Sequence, residues 1–225
     1  MNTLIFDTAS PLEIIVLDAA GRVFVSAVEN SGAHSAFLFD NIKKLFLRAG
    51  ISISDIGLIG VGAGPGSFTG IRVAVSAARA LAQALAVPLV GVATHDIYAA
   101  SVAASDGEAV LVAFDAKKNR VFGSLFLAEN ASLSVIVPPG DYLIDELLKK
   151  CPAGSAAVYA VGDGAGKYRE EICGFLKNPQ IIANDFMPDG GKISALINKE
   201  SAKGGSYGDV LPFYARKPYV KAPIG

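Results

Sequence analysis

The sequence has few residues able to ligate a transition metal: two histidines and two cysteines among 225 residues. His34 and His95 form no H-x-x-x-H or H-E-x-x-H pair, which excludes a zinc site on one helix. We expect His34 to cap a helix or lie at the surface, and His95 to begin a helix. Cys151 and Cys173 form no C-x-x-C pair, so we expect two reduced, buried thiols in a reducing compartment. The sequence therefore predicts no metal site.

Long apolar runs and an excess of positive charge are also missing. The charge-free stretch 80–95 is too short to span a membrane, and Pro88 interrupts it. Residues 1–9 contain no basic residue, and Asp7 breaks their apolar run, so they predict a first strand rather than a signal peptide. The 20 basic residues nearly balance the 21 acidic ones, which leaves no general basic surface for nucleic acid. We therefore expect a cytoplasmic protein whose nucleic-acid contacts, if any, come from a partner.

Strands and helices alternate along the chain. Apolar runs predict strands at 4–7, 14–17, 23–28, 56–61, 89–92, 109–115, 120–127, 157–161 and 180–183. Helical spacing predicts helices at 31–49, 71–86, 96–104, 141–150, 167–176 and 192–199, with an extended tail at 209–220. The alternation predicts an α/β fold in which a β-hairpin opens each half.

The start of the chain is echoed near its middle. One apolar strand ends in Phe6-Asp7 and another in Phe114-Asp115, and each is followed by a polar turn and a further strand. This echo indicates either an internal duplication or a chance similarity between two buried strands. A duplication would divide the chain into lobes at 1–108 and 109–225.

The glycine-rich loop 62–70, between a strand and a helix, is the sharpest local motif. It lacks the lysine of a Walker loop, so it is either an anion site at a helix N-terminus or a tight turn capped by Ser67 or Thr69. Asp7 and Asp115, each at the end of a predicted strand, also have two interpretations. They either hold a metal or orient a water near a bound phosphate, or they cap turns. If a nucleotide binds, the candidate residues are Asp7, Thr8, Gly64, Gly66, Ser67, Thr69, Asp115, Gly162 and Gly164.

The helix predicted at 71–86 is apolar on most of its circumference. Such a helix is either surrounded by its own chain or pressed against another protein. Its small residues recur at i, i+4, i+7 and i+11, which gives a strip that a partner helix could approach closely. The candidate partner-interface residues are His34, Phe37, Asn41, Arg72, Val73, Ser76, Ala77, Ala80 and Ala84.

Taken in order, these motifs resemble the TsaB (YeaZ-like) family over the whole chain. The matching segments are 4–9, 34–35, 64–70 with Arg72, 87–88, 114–116, 161–164 and 212–216. The segment 64–70, Gly-Pro-Gly-Ser-Phe-Thr-Gly, is the specific one. The resemblance implies an actin-like ATPase (sugar kinase/heat-shock chaperone/actin) fold: two duplicated lobes of mixed sheet with helices.

The resemblance also implies a function. The family provides a non-catalytic scaffold subunit for the complex that transfers threonylcarbamoyl to the adenosine beside the tRNA anticodon. Its partners would be the catalytic homologue TsaD and the ATPase TsaE, with a homodimer when alone and tRNA reached only through the complex. No cofactor would be tightly bound, and ATP or ADP would bind only within the complex. The H-x-x-x-H metal positions of TsaD fall here on Thr94 and Tyr98, which are poor ligands. The alternatives are an autonomous actin-like ATPase and a metallopeptidase. The missing ligand pair argues against the metallopeptidase.

Overall fold

A computed structural model describes residues 1–29, 37–183, 186–204 and 208–216. The strands of the first half are β1 (Asn2–Asp7), β2 (Leu12–Ala19), β3 (Arg22–Glu29), β4 (Ile56–Gly62) and β5 (Leu89–Val92). Its helices are α1 (Leu38–Ala49), α2 (Phe68–Leu85) and α3 (Thr94–Ser101). The strands form one sheet in the order β3-β2-β1-β4-β5. An antiparallel meander, β1 to β3, is thus extended by two parallel strands.

The second half repeats this arrangement. Its strands are β6 (Ala109–Asp115), β7 (Arg120–Glu129), β8 (Ser132–Leu143), β9 (Val158–Val161) and β10 (Pro179–Ile182). Its helices are α4 (Ile144–Leu148), α5 (Asp163–Lys167), α6 (Arg169–Phe175) and α7 (Gly190–Ser201). Read from the end of the meander, this sheet has the order β8-β7-β6-β9-β10, which is the strand order of the first sheet. The predicted duplication is therefore confirmed in topology, and Asp7 and Asp115 end equivalent strands.

Strand β1 is apolar throughout because both faces of the first sheet are covered. Leu4 and Phe6 face an outer core that they share with α1 and α2. Ile5 lies on the opposite face, in an inner core that also contains Ile193 and Ile197 of α7. A central strand buried on two sides reads as a continuous apolar run rather than an alternating one.

The inner core joins the two sheets. Val110, Val112 and Phe114 of β6 pack in the same cluster as Ile5 of β1. Helices α3 and α7 belong to this layer, and the side chain of Ile197 lies directly over Gly60 in β4. The last helix of the described residues, α7, therefore packs on the first sheet. The division of the chain at residue 108 stays a prediction.

Three predicted elements and the predicted burial of one cysteine need correction. Helix α1 begins at Leu38, with Phe37 outside it, whereas the prediction began at residue 31; residues 30–36 lie outside the described part of the chain. Strand β8 was missed, and it occupies the start of the helix predicted at 141–150. The predicted glycine turn 162–166 is mostly the short helix α5, and Tyr168 separates it from α6. Cys173 is exposed rather than buried, whereas Cys151 is half-buried.

The described helices are too short or too polar to cross a lipid bilayer.

Candidate functional site

The glycine-rich loop closes onto the turn that follows β1. The backbone N–H of Ser67 donates to the carbonyl of Ala9 at 2.7 Å, and the Thr8 hydroxyl donates to the carbonyl of Gly70 at 2.6 Å. A Cβ at Gly66 or Gly70 would overlap the backbone of Ala9 or Thr8, so the close approach requires glycine at both positions. Ser67 caps α2 by accepting from the N–H of Gly70. The geometry therefore agrees with the capped-turn interpretation of this loop.

Asp7 is fully buried at the end of β1, and both of its carboxylate oxygens are engaged. Oδ1 accepts hydrogen bonds from the backbone N–H groups of Ala9 and Ser10, and Oδ2 accepts one from the Thr94 hydroxyl. Burial raises the pKa of Asp7, and these hydrogen bonds offset part of that effect. Gly62 covers the carboxylate so closely that a Cβ there would overlap it. A carboxylate enclosed in this way has no open side for a metal or a phosphate.

Thr94 and Tyr98, the positions that the sequence resemblance matches to metal ligands, belong to a polar and aromatic core. Thr94 is fully buried and binds Asp7, while the Tyr98 hydroxyl donates to Ser10 Oγ at 3.0 Å. The Tyr98 ring stacks on Phe186 with a centroid distance of 4.2 Å and meets the edge of Phe114 at 4.8 Å. Neither side chain can ligate a metal while it makes these contacts. The residues at these two positions therefore do not fit a metal ion.

His95 lies between the two sheets and is fully buried. Its Nε2 lies 3.0 Å from the carbonyl oxygen of Phe122, to which it donates, and its ring meets the edge of Phe114 at 4.9 Å. Burial lowers the pKa of His95 to about 4, so the imidazole is neutral at neutral pH. His95 is the second residue of α3, in agreement with the prediction that it lies at the start of a helix. Its side chain packs in the protein interior. The other histidine, His34, lies outside the described residues.

Asp115, the counterpart of Asp7, is half-buried and lies beneath two lysines. Lys117 and Lys167 both bind its carboxylate, at 2.7 and 2.8 Å. Burial alone would raise the pKa of Asp115, but the hydrogen bonds from Lys117 and Lys167 bring it down to about 2. The Asp115 backbone N–H donates to Asp163 Oδ1, next to Gly162 and Gly164, whose missing side chains make room for the carbonyl of Ala113. The predicted nucleotide residues therefore lie in two groups, one around Asp7 and one around Asp115, and both carboxylates are already paired within the chain.

Among the residues that the structure describes, no group of three or more histidine, cysteine, aspartate or glutamate side chains is arranged to hold an ion.

Helix α2 has one face buried and one face exposed to solvent. Its inner face is buried against the outer core, and its residues are Gly70, Ile71, Ala74, Val75, Ala78 and Ala82. On the outer side, Ala80 and Ala84 are exposed, whereas Val73 and Ala77 are half-buried. The small residues of the predicted strip thus lie on the surface or at its border, and α1 and α2 both pack on the outer face of the first sheet.

Helix α1 also exposes large apolar side chains. Phe37 and Leu47 are 59% and 73% exposed, and Phe39 is exposed as well. An open groove of about 520 Å³ lies along this helix and ends at Ile53. Asn41, another predicted interface residue, is half-buried and donates to Glu13 Oε1 at 2.7 Å within its own chain.

Sequence reasoning missed an aromatic and cationic cluster at the start of α2. The guanidinium carbon of Arg72 lies 3.9 Å from the ring centroid of Phe68, and its Nε donates to the Tyr214 hydroxyl at 3.0 Å. The rings of Phe68 and Tyr214 lie 4.9 Å apart. Tyr214 belongs to the tail motif, but its contact with a helix 142 positions earlier leaves no signal in local sequence.

The same tail reaches the second sheet. The Phe213 N–H donates to the carbonyl of Ala63 at the end of β4. Three residues further, Arg216 forms a two-pronged ion pair with Asp141 of β8 at 2.7 and 3.1 Å, and its Nη1 donates to the carbonyl of Ala116. The tail therefore connects the two halves of the molecule.

Two mixed sheets with the same strand order and helices on their faces define the chain as a protein of the actin-like ATPase fold. Two solved structures from Pseudomonas aeruginosa share this fold at 24% identity: a protein with similarity to peptidase YeaZ, with a TM-score of 0.82 over 96% of this chain and 99% of that one, and YeaZ itself, with a TM-score of 0.79 over 95% and 99%. Residues 28–173 match the family model TsaD: tRNA N6-adenosine threonylcarbamoyltransferase.

Proteins with similar sequences show to which group within this family the chain belongs. The tRNA threonylcarbamoyladenosine biosynthesis protein TsaB of Buchnera aphidicola from Schizaphis graminum is 32% identical over 173 residues, which cover 74% of this chain and 82% of that protein. The TsaB protein of Bacillus subtilis is 26% identical over 191 residues, 84% of this chain and 82% of the relative. The chain therefore belongs to the family of the matching model and, within it, to the TsaB (YeaZ-like) proteins.

Proposed function

We propose that this protein is a non-catalytic scaffold subunit in the biosynthesis of threonylcarbamoyladenosine in tRNA. It docks on TsaD, the catalytic homologue, and TsaE joins the same complex. The transfer chemistry and its metal belong to TsaD, and tRNA contacts the complex rather than this chain alone. Any ATP or ADP binds only within the assembled complex. The names of the TsaB relatives support the pathway, and the geometry described above supports the docking role.

The observation that carries the proposal is that α2 has apolar residues both on its buried face and on its exposed side. The helix has a complete inner face, with Ile71, Val75 and Ala78 buried, and still presents Ala80 and Ala84 to solvent. An outer surface made of small residues lets another helix approach closely, because no long side chain holds it away.

We name this surface, with its neighbours on α1, the docking face. It consists of Phe37, Phe39 and Leu47 on the α1 side and Val73, Ala77, Ala80 and Ala84 on α2. Exposed apolar side chains concentrated on two helices that pack on the same core favour an interaction site in a folded protein. We propose that TsaD covers it in the working complex and that a second copy covers it when the protein is alone.

The proposal that the chemistry belongs to TsaD, and not to this chain, is supported by the enclosed residues of the inner core. Asp7 has both oxygens engaged, and Thr94 and Tyr98 are buried in contacts with Asp7 and Ser10. A nucleophile, general base or metal ligand needs an open side toward a substrate. These side chains have none, which supports a structural role for the centre of the fold.

A substitution on the docking face tests the proposal. Ala80→Glu places a carboxylate on the exposed side of α2, and Gln83→Glu makes the same charge change at an exposed neighbour outside the docking face. Ala80 is a sharper probe than Ala77, which packs partly against the protein's own core. Burying an unpaired carboxylate is unfavourable by several kcal/mol, so the Kd for TsaD should rise at least about 100-fold for Ala80→Glu.

Isothermal titration of purified TsaD with each variant measures the effect, and thermal melting checks that both variants are folded. Gln83→Glu should bind within about threefold of wild type, because a rim charge contributes little. Normal binding by a folded Ala80→Glu variant would contradict the docking face. No binding of wild-type protein to TsaD, with or without TsaE, would contradict the scaffold function itself.

A further inference from the structure

The charged residues of the first half of the chain are distributed unevenly. Residues 1–108 contain six basic and nine acidic side chains. Five of the six basic ones lie on α1 and α2, but only one of the nine acidic ones does. They are Lys43, Lys44, Arg48, Arg72 and Arg79, against Asp40. The two helices of the docking face thus have a net charge of +4 in a half that is otherwise strongly acidic.

These charges lie on the same two helices as the docking face, and Lys43 lines the α1 groove with Phe39 and Leu47. Lys43, Lys44, Arg48 and Arg72 are exposed, and Arg79 is half-buried. Among the described residues, no salt bridge engages any of these five side chains.

Arg72 is held in place without being neutralised. Its ring contact with Phe68 and its Nε bond to the Tyr214 hydroxyl orient the guanidinium, and neither partner is charged. An arginine fixed by aromatic stacking loses less side-chain freedom when it binds a carboxylate. Helix α2 itself contains no aspartate or glutamate.

From this distribution we infer that the docking face selects a partner surface that is apolar at its centre and carries carboxylates at its rim. The inference rests on the proposed docking function. The inference also predicts that the docking face favours TsaD over a second copy of this chain. A two-fold dimer opposes the same surface in both copies, so it would bring one net charge of +4 against another. Like charges in contact disfavour an interface, whereas opposite charges steer association and favour it.

Paired charge variants test this inference. Lys43→Glu/Lys44→Glu brings the net charge of the two helices to zero, and Lys43→Gln/Lys44→Gln brings it to +2. Lys149→Glu/Lys177→Glu makes the same total change at exposed positions of the second half and serves as the control. Binding to TsaD is measured by titration calorimetry, and self-association by sedimentation equilibrium, both in 50 and 500 mM NaCl. Thermal melting confirms that each variant is folded.

We expect the double glutamate variant to bind TsaD on the order of tenfold more weakly than wild type in 50 mM NaCl, and the glutamine variant to fall between them. The difference should shrink in 500 mM NaCl, where the screening length is about 4 Å. Self-association should change in the opposite direction, because the glutamate variant no longer repels its copy. The control should stay within about twofold of wild type in both assays.

Equal binding of TsaD by wild type and the glutamate variant, or self-association that the variant leaves unchanged, would overturn the inference. If Ala80→Glu still abolishes TsaD binding in that case, the docking face stands and only its charge selectivity is wrong. If Ala80→Glu has no effect either, the docking face itself is wrong.

Discussion

The hydroxyl group of Thr94 donates a hydrogen bond to Asp7 Oδ2 at 2.5 Å, across 87 positions of the chain. The contact joins the first turn of α3 to the end of β1 in the interior of the molecule. Thr94 Oγ1 also accepts from the N–H of Gly64, so one side chain connects the strand end, the glycine-rich loop and the helix. A position aligned with a metal ligand in TsaD thus serves here to fix the centre of the fold.

Replacing Thr94 with valine should lower the free energy of unfolding by about 1–3 kcal/mol. The substitution leaves the buried Asp7 carboxyl without one donor and the Gly64 N–H without its acceptor. Thr94→Ser retains the hydroxyl and loses one methyl group, so it should remain within about 1 kcal/mol of wild type. Urea unfolding of the two variants makes the comparison. A valine variant as stable as wild type, beside a destabilised serine variant, would show that the methyl group, not the hydrogen bond, matters at this site.

Gly62→Ala should prevent folding or destabilise the protein by at least about 3 kcal/mol, because its Cβ would overlap the buried carboxylate of Asp7. Gly174→Ala in α6 is the matched control, since nothing lies within 4 Å of the added Cβ. The control should gain about 0.5–1 kcal/mol, because alanine favours the helix over glycine. Thermal unfolding followed by circular dichroism compares them. A stable Gly62→Ala protein would mean that Asp7 is not enclosed as described.

The buried His95 should make stability depend on pH. Its pKa is about 4 in the folded protein, below the ordinary value of 6.5, so the folded state resists protonation. The contribution is therefore fully present above pH 6.5 and is lost as the pH falls from 6.5 toward 4, by up to about 3 kcal/mol. Wild type and His95→Gln should be compared by urea unfolding between pH 4 and 8. Titrations of the remaining groups are common to both proteins, so the difference in their unfolding free energies isolates His95.

The stability of wild type relative to His95→Gln should decrease toward low pH. A difference that is constant between pH 4 and 8 would contradict the buried, neutral imidazole.

The tail contact between Arg216 and Asp141 should control local opening more than global stability. Burial alone would raise the pKa of Asp141, but the hydrogen bonds from Arg216 and Arg120 hold it below its ordinary value. Since the Arg216 side chain is partly exposed, Arg216→Ala should change the free energy of unfolding by less than about 1 kcal/mol. The amide of Phe213, which donates to Ala63, should nevertheless exchange faster with solvent.

Hydrogen exchange of the Phe213 amide measures this effect. Arg216→Lys should also accelerate exchange, because lysine lacks the planar fork that binds both carboxylate oxygens. Lys44→Ala, which breaks an exposed hydrogen bond with Asn41 on α1, is the control and should leave the Phe213 amide unchanged. Unaltered exchange in Arg216→Ala would show that the ion pair does not hold the tail.

Local sequence was sufficient for the class of fold and for most of its elements. Buried runs such as 4–7 and 109–115 and the helical spacing in 71–86 have strong apolar patterns, because each element is covered on a continuous face. Strand β8 has no such pattern: it is an edge strand with Val135 and Ile136 exposed, and prolines occupy positions 138 and 139. The two-faced character of α2 was also predictable, because a helix with apolar residues nearly all round has more such surface than one core can cover.

The roles of the polar residues were decided only by tertiary structure. The sequence left open whether Asp7 faced a ligand or capped a turn, because its partner Thr94 lies on another element. Asp7 and Asp115 end equivalent strands, yet burial raises the pKa of one while two lysines lower that of the other. Equivalent positions in a repeated fold acquire different chemistry because the pKa depends on what packs around the carboxylate, and the packing brings together residues from distant parts of the chain.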